Sequence, residues 1–212
     1  MRARIAAGAG LACAIAAAAA ICDLQPGAGA LALADISPRA GDIILRQGTG
    51  FWGVVFARVN PRDRRFSHVG IVVEEEGRWR VVHAQADDLA RAGMVREDDL
   101  EVFLAGVRRA ALLRLDDEAA AGRVAHEALA MHEAKLAFDF DFDLEGVDAV
   151  YCSELAWRAL TAGLERDPLP VKPYLNGREA ILVESFLLDI PELHLVYALP
   201  SLSTEAAQVA PP

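Results

Sequence analysis

The sequence predicts an α+β fold in which an antiparallel sheet packs against helices. Two observations predict this class. Strand-like runs come first, two helix-like runs follow, and a last strand-like run closes the order, which is typical of α+β folds. The chain also has 212 residues, 54% of them hydrophobic, which is enough for one domain with a sizeable core.

Period-two alternation bounded by turn residues predicts the strands. They fall at Asp42–Arg46, Phe66–Glu74, Arg78–Ala84, Val107–Leu115 and Leu193–Leu199. The alternating aromatic run Phe138–Asp143 predicts a further strand-like stretch. Helices are expected from about Asp116 to Ala137, where acidic residues suit a helix start, and from about Tyr151 to Thr161. Residues 47–56 and 87–99 are expected to be loops that wall a cleft.

The charge balance excludes several classes of protein. Lys and Arg number 21 against 31 Asp and Glu, a formal net charge of -10. An acidic chain is a poor partner for nucleic acid or for an anionic lipid surface. Charges also recur throughout the chain after its first two dozen residues, which excludes a bundle of membrane-spanning helices.

The first 34 residues have the pattern of a secretory signal. Arg2 and Arg4 precede the uncharged, alanine-rich run Ile5–Cys22, and Ala32–Ala34 offers a cleavage site. The alternative is an uncleaved anchor, which would be the chain's one contact with a membrane. We therefore expect an exported protein of the periplasm or cell envelope, with a domain at 35–200 and a loose tail at 201–212.

Cysteine usage singles out one side chain. Three cysteines are too few for a disulfide framework, and two of them lie in the signal segment. The remaining one, Cys152, opens the second predicted helix and shares a face with the apolar residues Leu155, Ala156, Ala159 and Leu160. A helix start favours the thiolate, the nucleophilic form of cysteine. The alternative is a small buried core residue.

Two histidines fall on neighbouring strands of a predicted hairpin. If the turn lies at Glu75-Glu76, His68 faces His83, and if it lies at Glu76-Gly77, His68 faces Gln85. Both registers keep the three side chains on one face, with opposite Cβ atoms about 4.5–5.5 Å apart. A second polar group can therefore orient the His68 ring, as in a nucleophilic hydrolase. Zinc could also bind two histidines and a cysteine, but the spacing does not demand it, and we expect no metal or cofactor.

Three blocks of sequence resemble a known family. They are Gly41–Ile44, Ser67–Val72 and Asp148–Trp157, and the Tyr-Cys-Ser-Glu-Leu run in the last block is the most specific. The chain resembles, from about Gly41 to Leu199, the permuted papain-like amidases of the YaeF/YiiX type. These are relatives of the NlpC-type cell-wall peptidases and of lecithin–retinol acyltransferase-like proteins. The resemblance implies a circularly permuted papain-like fold, with Cys152 as nucleophile and His68 as its base.

The third member of the site is where the chain departs from that family. Many members carry an acidic residue where this chain has His83, although the acyltransferase-like relatives carry histidine there. Tyr151, next to the nucleophile, is a candidate for oxyanion support. We expect hydrolysis of an amide or peptide bond through an acyl-enzyme. The alternatives are a lipid acyl hydrolase or acyltransferase, favoured by a deep apolar groove, and a non-catalytic envelope binding protein, favoured by a buried Cys152.

Overall fold

The computed structural model describes residues 36–48, 53, 57–87, 92–175 and 177–199. The predicted signal segment and tail lie outside the described residues. Within the described part, no helix is both long enough and apolar enough to cross a membrane.

Most of the described strands form one eight-stranded sheet in the order β10-β5-β1-β2-β3-β4-β6-β7. Its pairs are antiparallel except β6 with β7. A separate two-stranded hairpin is formed by β8 and β9. The bounds are β1 Ile43–Arg46, β2 His68–Glu75, β3 Arg78–Ala86, β4 Gly93–Asp99, β5 Ala110–Leu115, β6 Ala137–Phe138, β7 Ala149–Val150, β8 Tyr174–Leu175, β9 Arg178–Glu179 and β10 Leu193–Leu199.

The described helices are α1 Leu100–Phe103, α2 Glu118–Glu133, α3 Cys152–Leu164 and α4 Ser185–Leu188. The Asp117 carboxylate accepts hydrogen bonds from the N–H groups of Ala119 and Ala120, so an acidic residue caps α2 as the sequence predicts. Helices packed on a mainly antiparallel sheet confirm the predicted fold class.

The β2–β3 turn settles the register of the two predicted histidines. Glu76 and Gly77 both have a positive φ, 51° and 73°, the combination that a two-residue hairpin requires. Ile71 consequently pairs with Val82. This is the second of the two predicted registers, the one that brings Gln85 rather than His83 level with His68.

The two faces of the sheet belong to different apolar clusters. Val69, Ile71 and Val73 of β2 point into the larger cluster, which is completed by α2 and α3. Val72 points into the smaller cluster, which includes Phe103 of α1. Alternation along one strand therefore feeds both sides of the sheet.

Two predictions about local structure are wrong. The strand expected over Phe138–Asp143 ends at Phe138, because the Asp139 carboxylate accepts from the N–H groups of Asp141 and Asp143 and turns the chain. Residues 93–99, expected as loop, form β4, which pairs with β3 along its whole length.

Candidate active site

The predicted nucleophile lies where two strands of the sheet separate. The ladder between β2 and β3 begins at Ile71 and Val82, so the first residues of β2, although described, have no partner on β3. The backbone of Val69 instead hydrogen-bonds the thiol of Cys152. Because Val69 follows His68 directly, this contact places the sulfur beside the backbone of the predicted base.

The start of α3 is held by side chains on either side of the cysteine. Tyr151 is the N-cap, and its N–H donates to the Glu154 carboxylate, which also pairs with Arg158 at 2.6 Å. The Tyr151 hydroxyl accepts from the Ile181 N–H at 2.8 Å, and the Ser153 hydroxyl donates to the Ile181 carbonyl at 2.7 Å. Cys152 is thereby fixed at the first helical position.

Three polar side chains form a hydrogen-bonded chain on the opposite face of the sheet from the larger cluster. His68 Nε2 lies 2.9 Å from His83 Nδ1, and His83 Nε2 lies 3.0 Å from Asp98 Oδ2. His68 and His83 are buried, and Asp98 stands at the end of β4. His83 reaches His68 diagonally across the strand pair, which explains why the contact survives the register described above.

The order of donors along this chain follows from its acidic end. The pKa of Asp98 is lowered to about 2, first by its bond to His83 and also by Arg96, so the carboxylate is an acceptor. His83 must then carry its proton on Nε2 and accept at Nδ1, where His68 Nε2–H donates. The Nδ1 of neutral His68 is left without a proton and is free to act as a base.

Gly70 provides the space for this chain. A Cβ at position 70 would lie 2.4 Å from Cγ1 of Val81 and 3.2 Å from Cβ of His83. A side chain here would therefore push β3 away from β2. Gly70, which shares a face of β2 with His68, therefore allows the close approach of His83 to His68.

Burial governs the protonation of the site. It raises the pKa of the Cys152 thiol to about 11, although hydrogen bonds from the backbone of Val69 and Ser153 oppose the shift. The pKa of His68 is held well below its usual value, mainly by burial and further by the charges of His83 and Arg46. The backbone N–H groups of Cys152 and Ser153 at the helix start lower the pKa of the thiol, as the sequence predicts, but desolvation outweighs them and the net shift is upward. Both shifts favour a thiol and a neutral imidazole over an ion pair in the free protein.

The structure brings His68 and His83 together and directs the other candidates elsewhere. Gln85 Nε2 donates to the carbonyl of Ala86, its own neighbour. The Tyr151 hydroxyl is bonded to the backbone of Ile181, and its support of an oxyanion stays a prediction. Sequence reasoning missed Asp98, because it treated β4 as loop. The only available signal was the cluster Glu97–Asp99 one hairpin after His83.

The geometry of the two histidines bears on the alternative of a zinc site. The ring nitrogens of His68 and His83 that face each other do so at hydrogen-bond distance. In the part of the chain that the structure describes, no group of three or more His, Cys, Asp or Glu side chains is arranged to hold a metal ion.

A small cavity of about 30 Å³ lies beside Cys152. This is room for about one water molecule. Its lining is mostly apolar and comes from the start of α3, Phe142 and the segment Ala180–Val183.

The sequence matches the model of a known protein family. The model of a family described as "Permuted papain-like amidase enzyme, YaeF/YiiX, C92 family" matches residues 37–168, a span that contains Cys152, His68, His83 and Asp98. The chain belongs to this family. Membership makes it a cysteine amidase or peptidase, and therefore a hydrolase.

A solved structure supports the fold of the family member. The crystal structure titled metalloprotein yiiX from Escherichia coli O157:H7 is similar with a TM-score of 0.59 at 18% identity, over 76% of this chain and 97% of that one. At this identity the likeness concerns the fold alone. A search of curated proteins finds no match.

Proposed function

We propose that this family member cleaves an amide or peptide bond with Cys152 as nucleophile and His68 as general base. The observation that carries the proposal is the chain from Asp98 through His83 to His68, which leaves one unprotonated nitrogen on the residue next to the backbone that contacts the thiol. This is the arrangement of base and orienting group that an activated nucleophile needs.

The reaction begins from the neutral pair. His68 Nδ1 takes the thiol proton as the sulfur attacks the acyl carbon, so that the thiolate forms only during attack. The resulting imidazolium is stabilised through His83 by the Asp98 carboxylate. His68 then gives the proton to the leaving amine, the C–N bond breaks, and a thioester to Cys152 remains. Water, deprotonated by His68, hydrolyses the thioester and restores the thiol.

The oxyanion of each tetrahedral intermediate needs hydrogen-bond donors. The backbone N–H of Cys152 is one of the first N–H groups of α3, which have no acceptor within the helix. Such a group is positioned to stabilise charge that develops at the acyl oxygen. Tyr151 remains a candidate for additional support.

Cell-envelope material is the proposed source of the substrate. The leading segment 1–34 supports export to the periplasm or envelope, where peptides and amides of the envelope are the available substrates. The family that the chain belongs to is described as one of amidases, so a lipid acyl hydrolase or transferase is the weaker candidate.

A non-catalytic binding protein is the second candidate, because Cys152 is only 3% exposed. A family member that has lost its reaction would bury its cysteine in this way. Against it stands the hydrogen-bonded chain of buried His68 and His83 with half-buried Asp98. Two buried rings and a carboxylate are costly to desolvate, and apolar residues of similar volume would serve a purely structural role as well.

A screen of amide, peptide and acyl-thioester substrates separates these candidates. We expect the wild-type protein to hydrolyse at least one amide or peptide, with a trapped thioester at residue 152. Cys152→Ala should be inactive, and Glu74→Ala, at an exposed position of β2, serves as the control that leaves the site intact. Full activity in Cys152→Ala would refute the proposed nucleophile. Turnover of acyl thioesters alone would favour the lipid alternative, and no turnover together with an unreactive thiol would favour the binding protein.

A further inference from the structure

The loop between β6 and β7 carries a bulky residue in a left-handed backbone conformation. Phe142 has a φ of 53°, a region that large L-residues rarely adopt. The other described non-glycine residues with a positive φ are Glu76, in the β2–β3 turn, and Lys135 and Glu165, just past the ends of α2 and α3. Hairpin turns and helix ends are the usual places for this conformation. Phe142 lies at neither, so its conformation has a different cause.

Polar contacts on both sides hold Phe142 in this conformation. The Asp139 carboxylate accepts from the N–H groups of Asp141 and Asp143, the two neighbours of Phe142 in the chain, at 2.8 and 3.0 Å. The Asp143 carboxylate in turn accepts from Arg178 of β9 at 2.9 Å. Strained backbone persists only where the surroundings impose it, and it is concentrated at functional sites. These contacts therefore keep the Phe142 ring in one place.

That place is the cavity beside the nucleophile, which Phe142 lines together with Cys152. The centroid of the Phe142 ring lies 5.4 Å from that of Tyr151, the residue before the nucleophile, and 6.0 Å from that of Phe138. Phe140 belongs to the same aromatic run and lies 4.8 Å from Phe138, but it is not among the described residues that line the cavity. Of these two aromatic residues, Phe142 is therefore the one at the nucleophile.

The described residues that line this cavity carry no charged side chain. Two polar side chains that flank Cys152 are engaged with the backbone: the Tyr151 hydroxyl accepts from the Ile181 N–H, and the Ser153 hydroxyl donates to the Ile181 carbonyl. A charged group of a substrate would meet no opposite charge in this lining, and burying it would be costly. The acyl group becomes bonded to the sulfur, so it is the part of the substrate that has to occupy the space beside it.

We propose that Phe142 is a specificity-determining residue, whose ring forms the wall against which the acyl group of the thioester to Cys152 packs. The ring limits the length of that group, and the uncharged lining selects an apolar one. The inference rests on the proposed function, since it concerns the same thioester. The competing interpretation is that Phe142 only completes the aromatic packing around Phe138. Phe140 is the matched comparison, because its truncation takes the same volume from that packing and leaves the wall in place.

Aldehydes of increasing length test the wall without any turnover. A thiol adds across the aldehyde C=O: the sulfur bonds to the carbon, and the thiol proton passes to the oxygen. The resulting hemithioacetal carries the aldehyde chain where the tetrahedral intermediate carries its acyl chain. Propanal and hexanal are measured by the protection that each gives Cys152 against alkylation by iodoacetamide, read by mass spectrometry of the peptide that contains it. Each protection constant is divided by that of N-acetylcysteine with the same aldehyde.

In the wild-type protein the normalised constant should fall from propanal to hexanal. Phe142→Ala should raise the hexanal-to-propanal ratio by about tenfold or more, the selectivity that a methylene group commands in an apolar pocket, and Phe142→Leu should lie between. Phe140→Ala should keep the wild-type ratio. Butanal and 4-oxobutanoate have the same number of carbon atoms, but the second ends in a carboxylate. In high salt, which screens the net charge of the protein, 4-oxobutanoate should protect less well than butanal.

A flat series from propanal to hexanal in the wild-type protein overturns the inference, and this comparison needs no variant if Phe142→Ala does not fold. Equal ratios in Phe142→Ala and wild type, or the same rise in Phe140→Ala, overturn it too. Equal protection by butanal and 4-oxobutanoate overturns the apolar preference.

Failure of the proposed function has a different signature. Amides and peptides are then not hydrolysed by the wild-type protein, or are hydrolysed by Cys152→Ala as well, while the aldehyde ratios still report on Phe142. If no aldehyde protects Cys152, both proposals are refuted, because the thiol then does not add to a carbonyl carbon.

Discussion

The two faces of β2 differ in the residues that they carry and in what these residues contact. One face carries Val69, Ile71 and Val73, all fully buried against α2 and α3. The other carries His68, Gly70 and Val72, and here a hydrogen-bonded polar chain replaces part of the apolar packing. The apolar face holds the helix that bears Cys152, and the polar face holds the group that deprotonates it.

The separation of β2 from β3 is what connects these faces. Where the ladder is intact, a side chain on one face cannot approach a side chain on the other. Beyond Ile71 the ladder has ended, and the thiol bonds the backbone of Val69. Stability is therefore expected to depend on one face and chemistry on the other, a division that substitutions can test.

The largest expected effect is on the polar face. His68→Ala removes the general base, and we expect kcat/KM on a substrate found in the screen to fall about 10²- to 10⁴-fold. The free energy of unfolding, measured by urea denaturation, should change much less than activity does. A variant that unfolds without losing specific activity per folded molecule would contradict the division between the faces.

The next effect is on the apolar face. Ile71→Ala removes a fully buried side chain from the larger cluster, and we expect a loss of about 2–5 kcal/mol in the free energy of unfolding. The activity of the folded fraction should stay close to wild type. Glu74→Ala, at an exposed position of the same strand, is the control and should change stability by less than about 0.5 kcal/mol. A loss of activity without a loss of stability in Ile71→Ala would break the comparison.

The smallest effect is expected at the far end of the polar chain. Asp98→Asn keeps the shape but removes the charge that stabilises the imidazolium, and we expect kcat/KM to fall about tenfold at pH 7. The pKa of Asp98 is lowered to about 2 in the folded protein and is about 4 in the unfolded chain. Its contribution to stability is therefore present above pH 4 and lost as the pH falls towards 2.

Urea denaturation of both proteins checks that sign. The stability difference between wild type and Asp98→Asn should be larger at pH 5 than at pH 3. A difference that grows as the solution becomes more acidic would mean that Asp98 is not the stabilised carboxylate.

Sequence alone predicts the elements whose signal is local. The alternation of β2 and β3, the glycine turn between them and the apolar face of α3 all follow from short-range pattern, and the structure has each of them. The candidates Cys152, His68 and His83 come from the same patterns, since residue type and strand period are enough to place them on defined faces.

Features that depend on tertiary context could not be predicted. β4 reads Gly93–Asp99 with a single fully buried residue, Val95, because pairing with β3 rather than an apolar face stabilises it. Its Asp98 was therefore invisible as a partner of His83. Likewise, the pKa of Cys152 depends on how deeply the fold buries it, and no pattern in the sequence reports that depth.

The bond between Val69 and the sulfur gives the molecule a built-in reporter. The amide proton of Val69 faces whatever chemical species residue 152 carries: a thiol, an anion, a thioester or an alkylated sulfur. Its chemical shift and its rate of exchange with solvent should differ among these states, because each accepts a hydrogen bond to a different degree. A single backbone resonance would thus report, in real time, which of these chemical states Cys152 is in, without knowledge of the natural substrate.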